Sequence, residues 1–203
     1  LSPMQVPARV LGDSVALAHP EGLPAWSATI TSPCTKSKTI GVTIFHNDYF
    51  ETSTIELPKA RVITSIAMFY DLHQPWRFVE KIIKTLTDDG IWVVQMTDLV
   101  RMLRANAFDN VCHEHLCYYS LAQFELLVEV HGLEVFDVEF NDVNGGSMRA
   151  YVGFAGNHER QPSVDEALAD EAACLAEGAI AQFAGRVQRA KTSVVNFIEE
   201  ARS

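Results

Sequence analysis

Two short and almost uninterrupted apolar runs constrain the fold of this chain more than any other feature of its sequence. They are Val62–Phe69 and Ile91–Met96, and such runs are typical of strands covered on both faces of a parallel sheet. Between them, apolar side chains recur at helical spacing over Arg77–Leu86, which predicts a helix, and Asp-Asp-Gly at 88–90 predicts the turn that follows it. Strand, helix and strand in this order form a βαβ crossover, which implies a parallel sheet with helices on its faces.

The sheet is expected to end in an antiparallel hairpin. Two further strands are predicted at Leu133–Phe140 and Met148–Phe154, joined around the Asn-Gly-Gly sequence at 144–146. Asn-Gly between two strands is a strong signal for a tight hairpin turn. A β-branched and aromatic run at Val42–Phe45 adds another strand. We therefore predict an α/β fold with an open, mostly parallel sheet and a closing antiparallel hairpin.

Helices are predicted on both sides of the hairpin. Ser120–Val130 opens with a serine and, three residues later, a glutamine, which form a capping box, and a serine with a glutamate opens Ser163–Ser203 in the same way. The second segment is a long, alanine-rich C-terminal helix that Gly178 and Gly185 would weaken or break. Residues 1–40 are interrupted by prolines, so no element is assigned there. Three regions are expected: a poorly defined N-terminal segment at 1–40, an α/β core at 41–160, and a helical segment at 161–203 that starts a truncated C-terminal region.

The charge balance and the cysteines limit the partners and the compartment. Sixteen basic against twenty-six acidic residues give a net charge of −10, which disfavours binding to the phosphate backbone of a nucleic acid. No apolar run approaches the roughly 20 residues that span a bilayer, so no membrane partner is expected. Four cysteines without a C-x-x-C pair indicate neither a zinc ribbon nor a disulfide framework and favour the reducing cytoplasm. The chain starts at Leu1 and stops within a helical pattern, so we expect a fragment.

A dense group of reactive side chains lies between a helix predicted at Asp98–Ala107 and the helix that starts at Ser120. Two imidazoles, two carboxylates, two thiols and two phenols occur within residues 108–120. Connections on a rigid scaffold frequently carry functional side chains. This segment, the 108–120 loop, is therefore the leading candidate for a functional site.

Three interpretations of the 108–120 loop stay open on residue chemistry alone. In an extended segment His113 and His115 share one side while Glu114 points to the other, so the two imidazoles would bind a metal together with the thiolate of Cys112 or Cys117. A structural interpretation is that the imidazoles only satisfy neighbouring backbone groups. The third is general acid–base catalysis, because an unperturbed imidazole, with a pKa of about 6.5, moves protons readily at neutral pH and a nearby carboxylate can hold its tautomer.

Polar side chains also follow the first buried strand. Asp71 and His73 lie just past its carboxyl end, the edge at which open α/β sheets bind ligands. Both are therefore candidates for contacts with a substrate, together with His113 of the 108–120 loop. Alternatively, Asp71 only caps a turn and Pro75 starts the next helix.

An adenine site is suggested after the strand at Val42–Phe45. Asp48, Tyr49 and Phe50 follow this strand, and a carboxylate beside aromatic rings would receive an adenine, with Asp48 accepting from the exocyclic amine. A plain turn explains these residues equally well.

The hairpin turn carries a candidate anion site. Gly145 and Gly146 would let the backbone approach a ligand, while Arg149 meets an anionic group. The alternative is that these residues form only a turn.

Four motifs together resemble the sugar C-methyltransferases that depend on S-adenosyl-L-methionine. They are Phe69-Tyr70-Asp71-Leu72, the run from Asp89 to Gln95, the run from Asp109 to His115 with Tyr119-Ser120, and Gly145-Gly146-Ser147-Met148-Arg149. The resemblance covers roughly residues 40–200. Because that family methylates a carbon next to a ketone on nucleotide-linked deoxysugars, the resemblance implies a class I methyltransferase sheet, S-adenosyl-L-methionine as cofactor and a nucleotide-sugar as substrate. It also puts Asp71 where the family has a substrate-contacting polar residue. Phe69 of the same motif is a candidate for contact with the cofactor.

The resemblance places His115 as the catalytic base, with Glu114 beside it. Transfer of a methyl group to carbon needs a carbanion, so a proton next to the carbonyl has to leave first. His115 would take this proton. Glu114 or a phenol (Tyr118 or Tyr119) would then stabilise the imidazolium or the enolate.

Two other functions remain open on the sequence. No Gly-x-Gly occurs in the chain, whereas the family has a glycine-rich loop after its first strand. The chain would then be an incomplete, non-catalytic methyltransferase remnant that acts as a binding or assembly module through the helix at Ser163–Ser203. The other alternative is metal-dependent hydrolysis at His113, His115 and Cys117.

Overall fold

The computed structural model describes residues 14–18, 27–32, 42–47, 50–52, 54, 56–176 and 178–202. Within these ranges a seven-stranded sheet is accompanied by five α-helices. The strands are β1 (Ser14–Ala18), β2 (Ser27–Ser32), β3 (Val42–Asn47), β4 (Ala60–Ile66), β5 (Leu86–Thr97), β6 (Leu133–Asn141) and β7 (Ser147–Phe154). The helices are α1 (Pro75–Thr85), α2 (Leu99–Ala105), α3 (Leu121–Glu129), α4 (Pro162–Cys174) and α5 (Ala179–Glu200). No helix in the described ranges is both long and apolar enough to cross a bilayer.

The sheet is mixed, with the strand order β3-β2-β1-β4-β5-β7-β6. Parallel pairing joins β1 to β4 and β4 to β5 at the centre, and the pairs towards both edges are antiparallel. Residues 19–26 and 33–41, which connect β1 to β2 and β2 to β3, are fewer than the dozen or so that a parallel crossover needs. The register pairs Ala18 with Ile66 and with Ser27, and Ser27 with Asn47. The carboxyl ends of β1, β3 and β4 therefore lie at the same edge of the sheet.

The predicted βαβ crossover is present as β4–α1–β5, with two local differences. β4 does not continue to residue 69, because Ala67 adopts a left-handed conformation with φ of +53° and residues 69–71 form a short 3-10 helix. The turn predicted at 88–90 lies inside β5, where the pairing register shifts between Leu86 and Ile91. The Asp-Asp-Gly sequence thus produces an irregularity within the strand rather than its start.

Four aromatic rings form the centre of the core. Neighbouring centroids lie 5.5 to 5.9 Å apart in the cluster of Phe69, Phe78, Trp92 and Phe124, and all four rings are buried. The indole Nε1–H of Trp92 donates to Oγ of Ser65 at 2.9 Å, so the two buried polar groups satisfy each other. This cluster joins α1, α3 and the 3-10 helix at 69–71 to β5, and it gives the site at the sheet edge a rigid base.

The closing hairpin is confirmed. β6 pairs with β7 and β7 pairs with β5, all antiparallel. The connection contains Asn144, Gly145 and Gly146, with φ of +53°, +77° and +124°. These conformations favour Asn and Gly, which explains why the Asn-Gly-Gly sequence occurs at this turn. The α/β fold class with its closing hairpin is therefore as expected. The sheet is mixed rather than mostly parallel, because only two of the six strand pairs in the described residues, β1 with β4 and β4 with β5, are parallel.

The C-terminal segment forms two helices, α4 and α5, instead of one long helix. The break lies at Gly178, whose φ of +89° is outside the helical range, so one of the two glycines marked in the sequence interrupts the helix. The capping box predicted at Ser163 is wrong, because α4 starts at Pro162. Oγ of Ser163 instead donates to the carboxylate of Asp137 at 2.6 Å.

Candidate active site

The turn after β4 and the 108–120 loop meet at the carboxyl edge of the sheet. The main-chain N–H groups of Leu116 and Cys117 donate to the carbonyl of Tyr70 at 3.0 and 3.1 Å. The Tyr70 and His115 rings pack with their centroids 4.4 Å apart. Both segments are thus held against each other by backbone hydrogen bonds and by a ring contact, and they form one site.

His115 is partly buried, and its imidazole has a defined partner. Nδ1 lies 2.8 Å from the main-chain carbonyl oxygen of Asn110. A carbonyl oxygen only accepts hydrogen bonds, so the contact requires a proton on Nδ1. In the neutral ring this leaves the lone pair on Nε2, which is therefore the nitrogen able to take a proton. With its lone pair on Nε2, the neutral His115 ring is arranged to accept a proton at that nitrogen rather than to donate one.

Glu114 does not contact His115 in the way predicted. Its carboxylate pairs with Nε2 of His113 at 3.6 Å, and the two side chains are 69% and 90% exposed. Such an exposed pair contributes little to stability. The group that orients His115 is the Asn110 carbonyl, while His113 and Glu114 pair with each other at the protein surface.

Asp71 carries the most perturbed carboxyl of the site. Burial, and then the charge of Glu114, raise its pKa to about 7. Oδ1 is buried and has no hydrogen-bond partner among the described residues. Burial, followed by the charge of Asp71, likewise raises the pKa of Tyr70 to about 12. The site therefore has an acceptor without a donor and a local excess of negative charge.

Tyr119 and Tyr118 differ in their surroundings. The Tyr119 ring packs on Phe69 with centroids 5.5 Å apart, and burial, with the neighbouring Cys117, raises its pKa. The Tyr118 hydroxyl donates to the Asn110 carbonyl at 3.1 Å, and the Tyr118 ring centroid lies 6.2 Å from that of His115. Of the two phenols, Tyr118 shares a hydrogen-bond acceptor with the imidazole.

The hairpin residues lie at the same edge as the 108–120 loop. The Arg149 guanidinium donates to Oε1 of Gln95 at 2.8 and 3.1 Å and to Glu139 at 3.2 Å, so an anion would have to compete with Glu139. A Cβ on Gly145 or Gly146 would meet Ala107 or Arg101 of the chain itself. The two glycines therefore let the turn backbone pack closely against other residues of the chain, not against a ligand as the sequence suggested.

The predicted cofactor residues are only partly described. Asp48 and Tyr49 lie outside the described residues. Phe50 is buried and packs on Phe78 with ring centroids 4.9 Å apart, and Phe69 belongs to the aromatic core. A cofactor contact from Phe50 or Phe69 would therefore involve the main chain. The predicted substrate residue His73 is exposed just after the 3-10 helix.

Two residues were missing from the sequence prediction. Asn110 acts through its backbone carbonyl, which no side-chain pattern reveals, and Tyr70 acts through its ring and its carbonyl. Only their places inside the quoted motifs pointed to them. No group of three or more His, Cys, Asp or Glu side chains in the described part of the chain is arranged to hold a metal ion.

The sheet with its helices and closing hairpin defines an α/β fold of the class I methyltransferase type. A family profile described as "Methyltransferase domain" matches residues 10–138. The chain therefore belongs to this methyltransferase domain family. This match confirms that the resemblance noted in the sequence is to a methyltransferase, and S-adenosyl-L-methionine is the cofactor which that resemblance implies.

One curated relative is similar over half of the chain. The C-methyltransferase NovU of Streptomyces niveus is 40% identical over 102 residues, which are 50% of this chain and 24% of NovU. The chain thus matches about a quarter of the length of that relative.

Two solved structures match about half of the chain at low similarity. The mitomycin 7-O-methyltransferase MmcR is 19% identical, with coverage of 53% of this chain and 32% of that chain and a TM-score of 0.41. A SAM-dependent methyltransferase from Thermotoga maritima is 14% identical, with coverage of 51% and 61% and a TM-score of 0.39.

Proposed function

We propose that this protein is the core of a C-methyltransferase that acts on a carbon next to a ketone, on a nucleotide-linked deoxysugar, with His115 as the general base. The observation that carries the proposal is the 2.8 Å contact between Nδ1 of His115 and the Asn110 carbonyl, because it leaves Nε2 as the proton acceptor. Similarity to the C-methyltransferase NovU supports carbon as the methylated atom.

The proposed reaction starts with a proton transfer. Nε2 of His115 removes a proton from the carbon next to the substrate ketone, and the electron pair of that C–H bond enters the enolate. The imidazolium that results keeps its Nδ1–H bond to the Asn110 carbonyl, which stabilises its positive charge. The enolate carbon is then the nucleophile for the methyl group.

The residues present fit a cationic cofactor. Asp71 and Glu114 are close enough for the charge of Glu114 to raise the pKa of Asp71, so a positive group at this edge would relieve their repulsion. The unpartnered Oδ1 of Asp71 is left for a hydroxyl donor of the substrate. When bound, S-adenosyl-L-methionine supplies an electrophilic methyl group on a positively charged sulfur. Because β3 ends at the same edge as β4, we propose that the main chain at Phe50 lies near its adenine; the other two predicted adenine residues, Asp48 and Tyr49, are outside the described residues.

We assign substrate contacts to the remaining polar residues of this edge. Hydroxyl groups of a sugar would bind Asp71, His73 and His113. A diphosphate would bind Arg149 after displacement of Glu139, close to the turn with Gly145 and Gly146. Glu114 and Tyr119 are proposed to stabilise the charges that develop during the proton transfer. The thiols of Cys112, Cys117 and Cys174 are free, in keeping with a reducing cytoplasm.

The first test replaces the proposed base. His115→Ala should reduce methyl transfer from labelled S-adenosyl-L-methionine to a nucleotide-linked keto-sugar by at least about 100-fold, which is typical for loss of a general base. The calorimetric Kd of S-adenosyl-L-methionine should stay within about twofold, since the base is assigned to the substrate. His131→Ala, a change of the same kind outside the site, should leave both values unchanged. Equal turnover of the two variants would contradict the role of His115.

The alternative is a non-catalytic remnant that acts as an assembly module through α5. This is favoured by apolar side chains that α5 exposes, namely Val194, Val195, Phe197 and Ile198. If the alternative holds, S-adenosyl-L-methionine gives no heat at millimolar concentration, and Phe197→Asp converts a dimer into a monomer in sedimentation. Cofactor binding with an unchanged sedimentation coefficient for Phe197→Asp would exclude it.

A further inference from the structure

Asn110 connects the proposed base to the closing hairpin. Its buried side chain donates from Nδ2 to the main-chain carbonyl of Asn144 at 2.9 Å. A second, longer contact of 3.4 Å joins Nδ2 to the carbonyl of Ala107. The side chain thus spans from the 3-10 turn at Phe108–Asn110, which begins the 108–120 loop, to the hairpin turn, 34 residues further along the chain.

The carbonyl of the same residue is surrounded by donors. It accepts from Nδ1 of His115 at 2.8 Å, from the Tyr118 hydroxyl at 3.1 Å and from the N–H of Cys112 at 3.1 Å. If His115 carried its proton on Nε2 instead, the lone pair of Nδ1 would face the carbonyl oxygen at hydrogen-bond distance, which is repulsive. The position of this carbonyl therefore selects the tautomer of His115.

We infer that the hairpin turn at 144–146 is a positioning element for the base, and that it acts through the side chain of Asn110. This inference rests on the proposed role of His115, and it gives the turn a task other than contact with a ligand. The Asn144 carbonyl holds the Asn110 amide, and this holds the backbone carbonyl of Asn110 against Nδ1 of His115.

The two glycines allow the turn to come close enough. A Cβ on Gly145 would lie 2.7 Å from Cβ of Ala107 and 3.4 Å from Nδ2 of Asn110, and a Cβ on Gly146 would lie 2.5 Å from Cβ of Arg101. Any larger residue would therefore push the turn away from α2 and from Asn110. The Gly146 carbonyl accepts from the N–H of Asp98 at 3.1 Å, which also anchors the turn at the end of β5.

The first test is Asn110→Asp, which keeps the size of the side chain and the backbone carbonyl but replaces the Nδ2 donor by an oxygen that repels the Asn144 carbonyl. The matched control is Asn157→Asp, since Nδ2 of Asn157 donates to the carbonyl of Asp88 at 2.7 Å outside the site. The readout is the pair of imidazole ¹⁵N chemical shifts of His115 in the free protein, identified as the signals that disappear in His115→Ala.

We expect the wild type and Asn157→Asp to show His115 with its proton on Nδ1. Asn110→Asp should show a mixture of the two tautomers and a kcat lower by roughly 10- to 100-fold, because small displacements of a catalytic group have effects of this size. The KM for S-adenosyl-L-methionine should change little. Wild-type ¹⁵N shifts in Asn110→Asp, or a proton on Nε2 in the wild type, would overturn the inference.

A second pair of variants keeps the test open if Asn110→Asp does not fold. Gly145→Ala introduces a clash with Ala107, whereas Gly132→Ala changes a glycine with the same φ of +77° but with no atom within 4 Å of the new Cβ. Only Gly145→Ala should alter the ¹⁵N shifts of His115. If the His115 ¹⁵N shifts of Gly145→Ala are the same as those of Gly132→Ala, the inference is contradicted. If the variants change the tautomer of His115 but the wild type does not methylate a keto-sugar, the positioning role is supported and the role of His115 as the base is refuted.

Discussion

A buried glutamate from α4 holds the start of α3, and its removal offers a quantitative test of the packing around the site. The Glu171 carboxylate accepts from the N–H of Leu121 at 2.7 Å and from the N–H of Ala122 at 3.3 Å. These N–H groups belong to the first turn of α3, which has no intrahelical partners for them. The N–H of Ser120 is covered separately by Oε1 of Gln123 at 3.2 Å, so the predicted capping pair and Glu171 satisfy different groups.

The expected cost of Glu171→Ala follows from these contacts. A hydrogen bond to a charged acceptor contributes about 1.5 to 3 kcal/mol, and a helix N-terminus also favours a nearby negative charge. The Ala122 contact is long and contributes less. Burial raises the pKa of Asp98, and the negative charge of Glu171 also contributes to the increase. Removal of Glu171 relieves the repulsion between these two carboxylates, which offsets part of the lost stability. We expect the free energy of unfolding to fall by about 2 to 3 kcal/mol.

The assay is urea unfolding at pH 7, followed by tryptophan fluorescence. Glu166→Ala is the matched control, because Glu166 is an exposed glutamate on the same helix, and it should change the free energy of unfolding by less than about 0.5 kcal/mol. Glu171→Gln keeps one acceptor oxygen and should lie between the two. Equal unfolding free energies for Glu171→Ala and Glu166→Ala would refute the capping role.

Two further predictions concern the site edge and the core. The pKa of Asp71 is raised from 3.8 to about 7, so the folded state binds the proton more tightly and loses stability as pH rises from about 4 to about 7. Asp71→Asn should therefore be more stable than the wild type at pH 8, by roughly 1 to 2 kcal/mol after allowance for solvent screening, and this advantage should vanish below pH 4. A constant stability difference in urea titrations at several pH values would contradict this. Trp92→Phe leaves a space in the core and deprives Ser65 of its donor, so the free energy of unfolding should fall by about 2 to 3 kcal/mol in thermal or urea unfolding. The control Trp76→Phe, at a ring that is 46% exposed, should lower it by less than about 1 kcal/mol. Similar losses for both variants would be inconsistent with the aromatic core.

Most of the central fold could be predicted because apolar runs report burial directly. The two runs that became β4 and β5, the helical spacing of α1 and the Asn-Gly signal of the hairpin each depend on a local rule. The early end of β4 could not be predicted, since Ala67 takes a left-handed conformation that its residue type does not favour. The turn at residue 70 is instead favoured by its tertiary contacts with Leu116 and Cys117.

The C-terminal prediction failed where a local signal met a competing partner. A serine followed by a glutamate resembles a capping box, but Ser163 finds an acceptor in Asp137 on β6, and the helix starts earlier. The break predicted at Gly178 is confirmed. Whether a glycine bends or interrupts a helix depends on packing, which the sequence does not contain.

The candidate site was located by residue content, but its internal partners could not be predicted. Glu114 is the neighbour of His115 in sequence and was expected to stabilise its imidazolium or the enolate, whereas its carboxylate pairs with His113 in the structure. The actual partner is a main-chain carbonyl, which every residue possesses. The link from Asn110 to Asn144 depends on the hairpin folding back over α2 and likewise has no local signature.

Hydrogen exchange at carbon tests the central claim most directly. A nucleotide-linked keto-sugar is incubated with the protein and S-adenosylhomocysteine in D₂O, and the signal of the proton next to the ketone is followed by ¹H NMR. Since no methyl group is available, the assay reports proton removal alone. We predict that the wild type and His131→Ala exchange this proton well above the spontaneous rate, and that His115→Ala does so at least about 100-fold more slowly. Exchange by His115→Ala at the wild-type rate would contradict the assignment of His115 as the base.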